Sequence, residues 1–229
     1  MTGSDRGTPA GATPADLERL IAAGAAELQQ PLAANDIARL ARLLTALERW
    51  NARINLTAIR RPADMVASHV LDSLAALPLV EGNRVIDIGC GAGFPGLPIA
   101  IAAPHLAVTL LDSHGKKISF VQHMIGELAL DNAVAVRSRV EEYVPARPFD
   151  TVIARAFAPL PRMLALAGHL VGDTGALLAL KGQYPAAEIA DLKDAGATWK
   201  VDVTELTVPG LTQHARHAVR LTRARGAAS

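Results

Sequence analysis

An α/β chain with a doubly wound, mostly parallel sheet and helices on both faces is the fold class that this sequence predicts. Three observations predict it. From Val85 onward, short β-branched or apolar runs alternate with longer helical stretches, the pattern of parallel strands joined by crossover helices. A glycine cluster, Gly89, Gly91, Gly93 and Gly96, falls within eight positions directly after the first of those runs, VIDI. Open α/β sheets hold their ligands at that place, beyond the carboxyl end of a strand. Finally, 229 residues, 50% of them hydrophobic, suffice for one sizeable core with a small appendage.

The elements follow in order. Residues 1–14 are rich in Gly, Thr, Pro and Ser and read as a disordered leader. They lack an apolar stretch, so no signal peptide is expected there. Residues 15–80 read as a helical N-terminal extension, because Ile37, Leu40, Leu43, Leu44, Leu47 and Trp50 recur at three- and four-residue steps and form one apolar stripe. Residues 81–229 form the α/β domain. Its strands are VIDI, AVTLLD, AVAV, FDTVIA and ALLALK, separated by helical candidates near 96–103, 115–129, 161–171 and 185–195. The tail adds KVDVTELTV and ARHAVRLT with no convincing helix between them, so they read as a C-terminal antiparallel strand pair.

Composition excludes several classes. Charged residues are 20% and the net charge is +1, so any nucleic-acid surface must be local. Aromatics at 3% argue against a row of base-stacking platforms. The lone cysteine, Cys90, excludes an internal disulfide and a cysteine metal cluster and fits a reducing compartment. The longest apolar run, LPIAIAAPHLAVTLL, is interrupted by Pro104 and His105 and is too short for a bilayer span. A cytoplasmic protein without a membrane partner is expected, and no coiled-coil seam demands anything beyond a monomer.

Three ligand classes compete for the glycine loop. A nucleotide-phosphate loop wants G-x-x-x-x-G-K-[ST], which is absent. A dinucleotide loop wants G-x-G-x-x-G and an acidic residue about twenty positions on. Gly91-Ala-Gly93-Phe-Pro-Gly96 and Asp112 satisfy both, although Pro95, Pro98 and the bulky Phe94 crowd the helix entry. The third class is S-adenosylmethionine, which has no phosphate. It needs close backbone approach, from Gly89, Gly91 and Gly93, an acid for the ribose hydroxyls, Asp112, and an apolar slot for adenine. Asp87 is placed to help with the ammonium end.

DIGCGAGFPGLPIAI, LLDSHGKKISF, SRVEEY, FDTVIARAFAPL and ALKGQYP, preceded by WNARINLTAIR and HVLDSL, occur in an order that closely resembles the ribosomal RNA small subunit methyltransferase G family, also known as glucose-inhibited division protein B. The resemblance spans roughly Leu40 to Leu221. It implies a Rossmann-like class I methyltransferase that uses S-adenosyl-L-methionine to methylate N7 of one guanosine in the decoding-region loop of 16S ribosomal RNA. It further implies that Gly89 and Phe94 contact the cofactor, that Val140 and Glu141 flank the adenine, and that Arg155 closes or orients the site. The implied partner is 16S ribosomal RNA or a small-subunit assembly intermediate.

Guanine N7 has an in-plane lone pair and no proton at neutral pH, so it can attack a sulfonium methyl directly and needs no general base. Accordingly no catalytic acid or base is expected, only positioning. No N-P-P-[YF] or Pro-Cys motif points to an amine or a cytosine carbon instead, and nothing local orients His69, His114 or His123. For the RNA, Arg39, Arg42, Arg49, Arg53, Arg60 and Arg61 face only Asp36, Glu48 and Asp64, and Arg216, Arg220, Arg223 and Arg225 have no acid among them. Arg53, Arg60 and Arg61, with Lys181 at a strand end, are the expected backbone contacts. His69, Asp72 and Ser73 share a helical face that either lines the pocket mouth or packs, with packing favoured. The rival readings are an NAD-dependent oxidoreductase and a non-catalytic RNA-binding protein on the same fold.

Overall fold

A computed structural model describes residues 12–194, 199–211 and 215–224. Most of the expected leader, residues 1–11, lies outside them. Thr13 already caps the first helix: its side chain accepts from the Asp16 N–H while the Asp16 carboxylate accepts from the Thr13 N–H, which satisfies two otherwise unpaired donors. That helix, α1, spans Pro14–Glu27, and α2 spans Ala34–Ile54. A third helical stretch is built from α3 (Pro62–Met65), a π-helical turn (Val66–Leu71) and α4 (Asp72–Ala76).

The sheet has seven strands: β1 (Arg84–Ile88), β2 (Ala107–Asp112), β3 (Ala133–Arg137), β4 (Phe149–Arg155), β5 (Val171–Lys181), β6 (Trp199–Glu205) and β7 (His217–Arg223). Their order is β3-β2-β1-β4-β5-β7-β6. The first five run parallel, while β7 lies antiparallel to both β5 and β6. The crossover helices are α5 (Gly96–Ala102), α6 (Gly115–Glu127) and α7 (Leu160–Ala167), with α8 (Ala186–Asp194) preceding the tail. The doubly wound sheet and its antiparallel C-terminal strands are therefore present as expected. β5 begins earlier than ALLALK, because Val171–Gly175 extends it past a register shift opposite Phe149–Thr151. No alternating apolar pattern marks that extension.

Side-chain alternation explains how the sheet acquires two cores. Along β1, Val85 joins one apolar cluster while Ile86 and Ile88 join the other. Along β4, Ile153 joins the first and Val152 and Ala154 the second. The α2 stripe, with Leu40, Leu43, Leu44 and Leu47 fully buried, belongs to the first cluster together with Leu17, Leu71, Ile99 and Phe120. The N-terminal helices are thus built into the core of the sheet's first face. They also reach its edge of strand ends, where β1, β4, β5 and β7 meet.

Candidate functional site

The strand order reverses between β1 and β4, so the chain leaving these two strands diverges and opens a crevice. A cleft of about 530 Å³ lies there, within the about 300–1,000 Å³ typical of small-ligand sites. Its wall comes from the ends of the first four strands in turn: Gly89 after β1, Asp112 closing β2, Val140 and Glu141 after β3, and Phe157 after β4.

Gly89 adopts φ +65°, and a Cβ there would stand 2.7 Å from the Phe157 ring. Only glycine meets both conditions. The rest of the loop closes on itself. The Gly93 and Phe94 N–H groups donate to the Cys90 carbonyl at 2.8 and 3.1 Å, and the Leu97 N–H donates to the Gly93 carbonyl at 2.7 Å. The Gly91 N–H donates to Asp112 Oδ2 at 3.0 Å and the Gly96 N–H to Asp87 Oδ2 at 2.8 Å. Five of the loop's N–H groups, those of Gly91, Gly93, Phe94, Gly96 and Leu97, are therefore already engaged and not turned to a pyrophosphate. Gly91 and Gly93 shape the backbone and do not line the cleft. At Gly93 (φ +86°) a Cβ would stand 2.4 Å from a Leu97 methyl.

Asp112 is only 5% exposed, yet it borders the cleft. Burial would raise its carboxyl, but the His114 N–H and ring, Lys117 and the Gly91 N–H outweigh that and hold it below the usual carboxylate range. Its two oxygens are less free than the sequence suggests. Oδ1 already accepts from the His114 N–H and lies 2.8 Å from the His114 ring nitrogen. A ribose could use Oδ2 directly, but Oδ1 only after the exposed His114 ring swings aside. Asp87 is fully buried, with Oδ1 lacking any partner. Burial pushes its carboxyl up to about 7 against the pull of the Gly96 N–H. Cys90 is buried and its thiol is pushed up by that burial, which makes it packing and not a nucleophile.

Phe94 lies off the cleft. The tight turn at Cys90 folds its ring under the loop, where it is buried, stacks on His69 at a centroid distance of 4.7 Å, and sits 5.7 Å from the Arg155 guanidinium. Arg155 points the same way. It donates from Nη1 to the Ser68 carbonyl at 2.8 Å and to Asp72 Oδ2 at 3.1 Å, and it lines a second cavity, of about 360 Å³, that meets the cleft at Ala156. In this conformation Arg155 does not close the cleft. His69 also accompanies Arg155; burial first, and then the guanidinium, lowers its pKa to about 4. It is neutral near pH 7.

Lys181 borders the same cavity but is not free: its Nζ donates to the Ala158 carbonyl at 3.0 Å and pairs with Glu188 at 2.7 Å. Arg53, Arg60 and Arg61 are all exposed. Arg61 stands 3.6 Å from Asp64, whereas no ion pair holds Arg49, Arg53 or Arg60 among the described residues. Arg39 pairs with Asp36, and Arg42 anchors α2 to α6 through the Glu127 carbonyl. The C-terminal arginines are occupied: Arg216 with Asp72, Arg220 with Glu81, and Arg223 over the Trp199 ring. Arg225 lies outside the described residues.

Sequence reasoning missed Phe157, which no motif spacing marks, and Asn51 and Thr57, whose role emerges only in three dimensions. Buried Asn51 clamps the loop after α2 by bonding the Thr57 N–H and carbonyl, and Thr57 Oγ1 lies 2.9 Å from the His69 ring. The conformation so imposed presents Ile59 to the second cavity. The chemistry of the cleft suits a ligand with hydroxyls near Asp112, an apolar ring near Val140 and no phosphate on the loop. Among the described residues no group of three or more His, Cys, Asp or Glu stands together as a metal site, and no helix is long and apolar enough to cross a membrane.

Comparisons with known proteins bear on this geometry. A family described as rRNA small subunit methyltransferase G matches residues 36–219. Proteins named ribosomal RNA small subunit methyltransferase G are similar along nearly their full length. The one from Laribacter hongkongensis is 44% identical over 206 residues, 90% of this chain and 98% of the relative. That from Stenotrophomonas maltophilia is 46% identical over 209 residues, 89% and 97% of the two chains. Among solved structures, a SAM-dependent methyltransferase from Aquifex aeolicus superposes with a TM-score of 0.52 at 19% identity, covering 69% of this chain and 92% of its own. A Pyrococcus abyssi tRNA (uracil-54, C5)-methyltransferase bound to S-adenosyl-L-homocysteine gives 0.52 at 20% identity, covering 71% and 39%. At such identities these two speak for the fold.

Proposed function

We propose, from the premise that this chain belongs to the rRNA small subunit methyltransferase G family, that it transfers the methyl group of S-adenosyl-L-methionine to N7 of a guanosine in the decoding-region loop of 16S ribosomal RNA. The observation that carries the choice of ligand is the glycine loop itself. The N–H groups of Gly91, Gly93, Phe94, Gly96 and Leu97 are consumed internally by Asp112, Cys90, Asp87 and Gly93, so most of the loop's donors are turned away from a phosphate. A dinucleotide-binding loop needs those donors facing its ligand. That consideration weighs against an oxidoreductase.

S-adenosyl-L-methionine supplies an activated methyl on a sulfonium. Asp112 Oδ2 receives a ribose hydroxyl, Val140 and Glu141 flank the adenine, and bare Gly89 under Phe157 lets the ligand lie against the backbone. The orphaned oxygen of Asp87 lies behind the loop and offers negative potential for the ammonium end where the carboxyl is ionised, above its raised pKa of about 7. The lone pair of N7 forms the new bond as the methyl–sulfur bond breaks, and its electrons stay on sulfur. The base becomes cationic and the donor neutral, so no proton moves. The protein's share is alignment of the two partners. N7 is inaccessible to side chains in the deep groove of an A-form duplex, so a loop in free 16S RNA or an assembly intermediate is the substrate, with the base drawn out of its stack. The exposed Arg53, Arg60 and Arg61 contact its phosphates. Lys181, held by Glu188, borders the entry and contributes to RNA backbone binding only by loosening that pair.

Two measurements test this. Calorimetry should give saturable binding of S-adenosylhomocysteine and none of NAD. Small-subunit RNA from cells lacking the gene should lose one 7-methylguanosine, restored by the purified chain with S-adenosyl-L-methionine. Unchanged N7 methylation would leave an RNA-binding protein without this activity.

A further inference from the structure

The cavity beside the cleft is built by residues that the donor chemistry does not use. Ile59, Leu180 and Leu206 give it apolar walls, and Asp72, Arg155, Arg216 and the Glu188-paired Lys181 bring charge into it. Asp72 is only 5% exposed and is held by a guanidinium on each oxygen: Arg155 Nη1 on Oδ2 and Arg216 Nε on Oδ1, both at 3.1 Å. These three residues come from α4, β4 and the approach to β7. Behind Arg155, the Phe94 ring and the neutral His69 ring stack on each other. A buried carboxylate costs stability unless it is paired, and here the pairing also aims it. Each oxygen accepts one bond from an arginine, which leaves a lone pair on each for something in the cavity.

An apolar slot with an aimed, two-oxygen acceptor matches a flat heterocycle carrying two adjacent N–H donors. Among the four RNA bases, guanine alone has that pair, N1–H and the N2 amine; adenine has an acceptor at N1. The edge bearing N1 and N2 lies on the far side of the purine from N7, so holding it leaves N7 unencumbered. The cavity and the donor cleft share Ala156, the residue after β4. We propose that this cavity is the acceptor subsite and that Asp72 reads the N1–H and N2 amine of the target guanine, with Arg155 and Arg216 as its positioning residues. The proposal rests on the N7 methyl transfer described above and adds which residue selects the base. The guanine-reading role falls to a side chain that helical spacing assigns slightly more readily to packing.

The test uses small-subunit RNA in which the mapped target guanosine is replaced by inosine. Inosine keeps N7, N1–H and O6 but lacks the N2 amine. The full-length wild type should methylate the inosine substrate about tenfold or more slowly, since a hydrogen bond to a charged group is lost. Asp72→Asn should bind S-adenosylhomocysteine as the wild type does, which also reports that it is folded. It should methylate guanosine slowly and treat the two substrates alike. A carboxylate that only braces the two arginines would lower both rates together and keep their ratio, and that result overturns the proposal. So does a wild type that methylates inosine as fast as guanosine, whatever the variant does. A wild type that transfers no methyl to guanosine N7 overturns the parent reading as well, so the two failures are told apart.

Discussion

The donor cleft and the cavity next to it share one residue, Ala156, and little else. The cleft is open, lined by exposed polar groups such as His114 and Glu141, and its specificity comes from missing side chains: a bare Gly89 and amides turned inward. The cavity is smaller, with apolar walls and a charged cluster, and on the reading proposed above its specificity comes from charge held in place, with Asp72 between Arg155 and Arg216. The difference fits two ligands of different kinds. A cofactor that is the same at every turnover can be met by a fixed backbone shape. A base chosen from a long RNA must be distinguished from the others, which takes oriented hydrogen-bonding groups whose loss leaves a buried partner unsatisfied.

If the cleft works through bare backbone, the largest single effect should come from filling it. Gly89→Val places a branched side chain at positive φ and into the Phe157 ring. We expect S-adenosylhomocysteine affinity to fall by about a hundredfold or more in calorimetry, from about 3 kcal/mol of strain and lost contact. Near-normal affinity would mean that the ligand lies elsewhere.

Asp87 gives a pH signature to the floor of the cleft. Burial raises its folded pKa to about 7, so its contribution to stability is fully present below its unfolded value near 4 and is lost as pH climbs through about 7. Denaturant titrations of the unliganded protein should show stability declining by about 2–4 kcal/mol across that window from this group. Asp87→Asn should remove that decline, while a variant in the cavity should leave it.

Asp112→Ala should weaken S-adenosylhomocysteine by about 1–3 kcal/mol, the range for hydrogen bonds to an ionised group, and leave the guanosine-to-inosine ratio untouched. A changed ratio would blur the division between the two pockets. The smallest effect should lie outside both. Arg53→Ala combined with Arg60→Ala should lower RNA affinity several-fold and reduce the salt slope by about 1.5, with cofactor binding unaltered. An unaltered slope would make these arginines a solvated face.

The two pockets were unequally legible in the sequence. Strand alternation brings Gly89 and Asp112 to one edge, the family resemblance supplied Val140 and Glu141, and all four line the cleft. The antiparallel pairing of β6 and β7 followed from their closeness in the chain. The fate of Phe94 was not legible, because a turn closed by the Cys90 carbonyl decides which way the ring faces. Arg155 and Arg216 meet Asp72 from 83 and 144 residues away, and no local pattern encodes such pairs. The same applies to Lys181 and the C-terminal arginines, which carry charge in the sequence but lie against Glu188, Asp72, Glu81 and Trp199 in the fold.

A crystal structure of the chain with S-adenosylhomocysteine bound tests the division of labour most directly. The expected result places the ribose against Asp112 Oδ2, the adenine beside Val140 and the sulfur turned toward Ala156, with Asp72, Arg155 and Arg216 still joined in an open cavity. Adenosine lodged between Arg155 and Arg216, or a cleft along Gly89 and Asp112 left empty by the ligand, would contradict it.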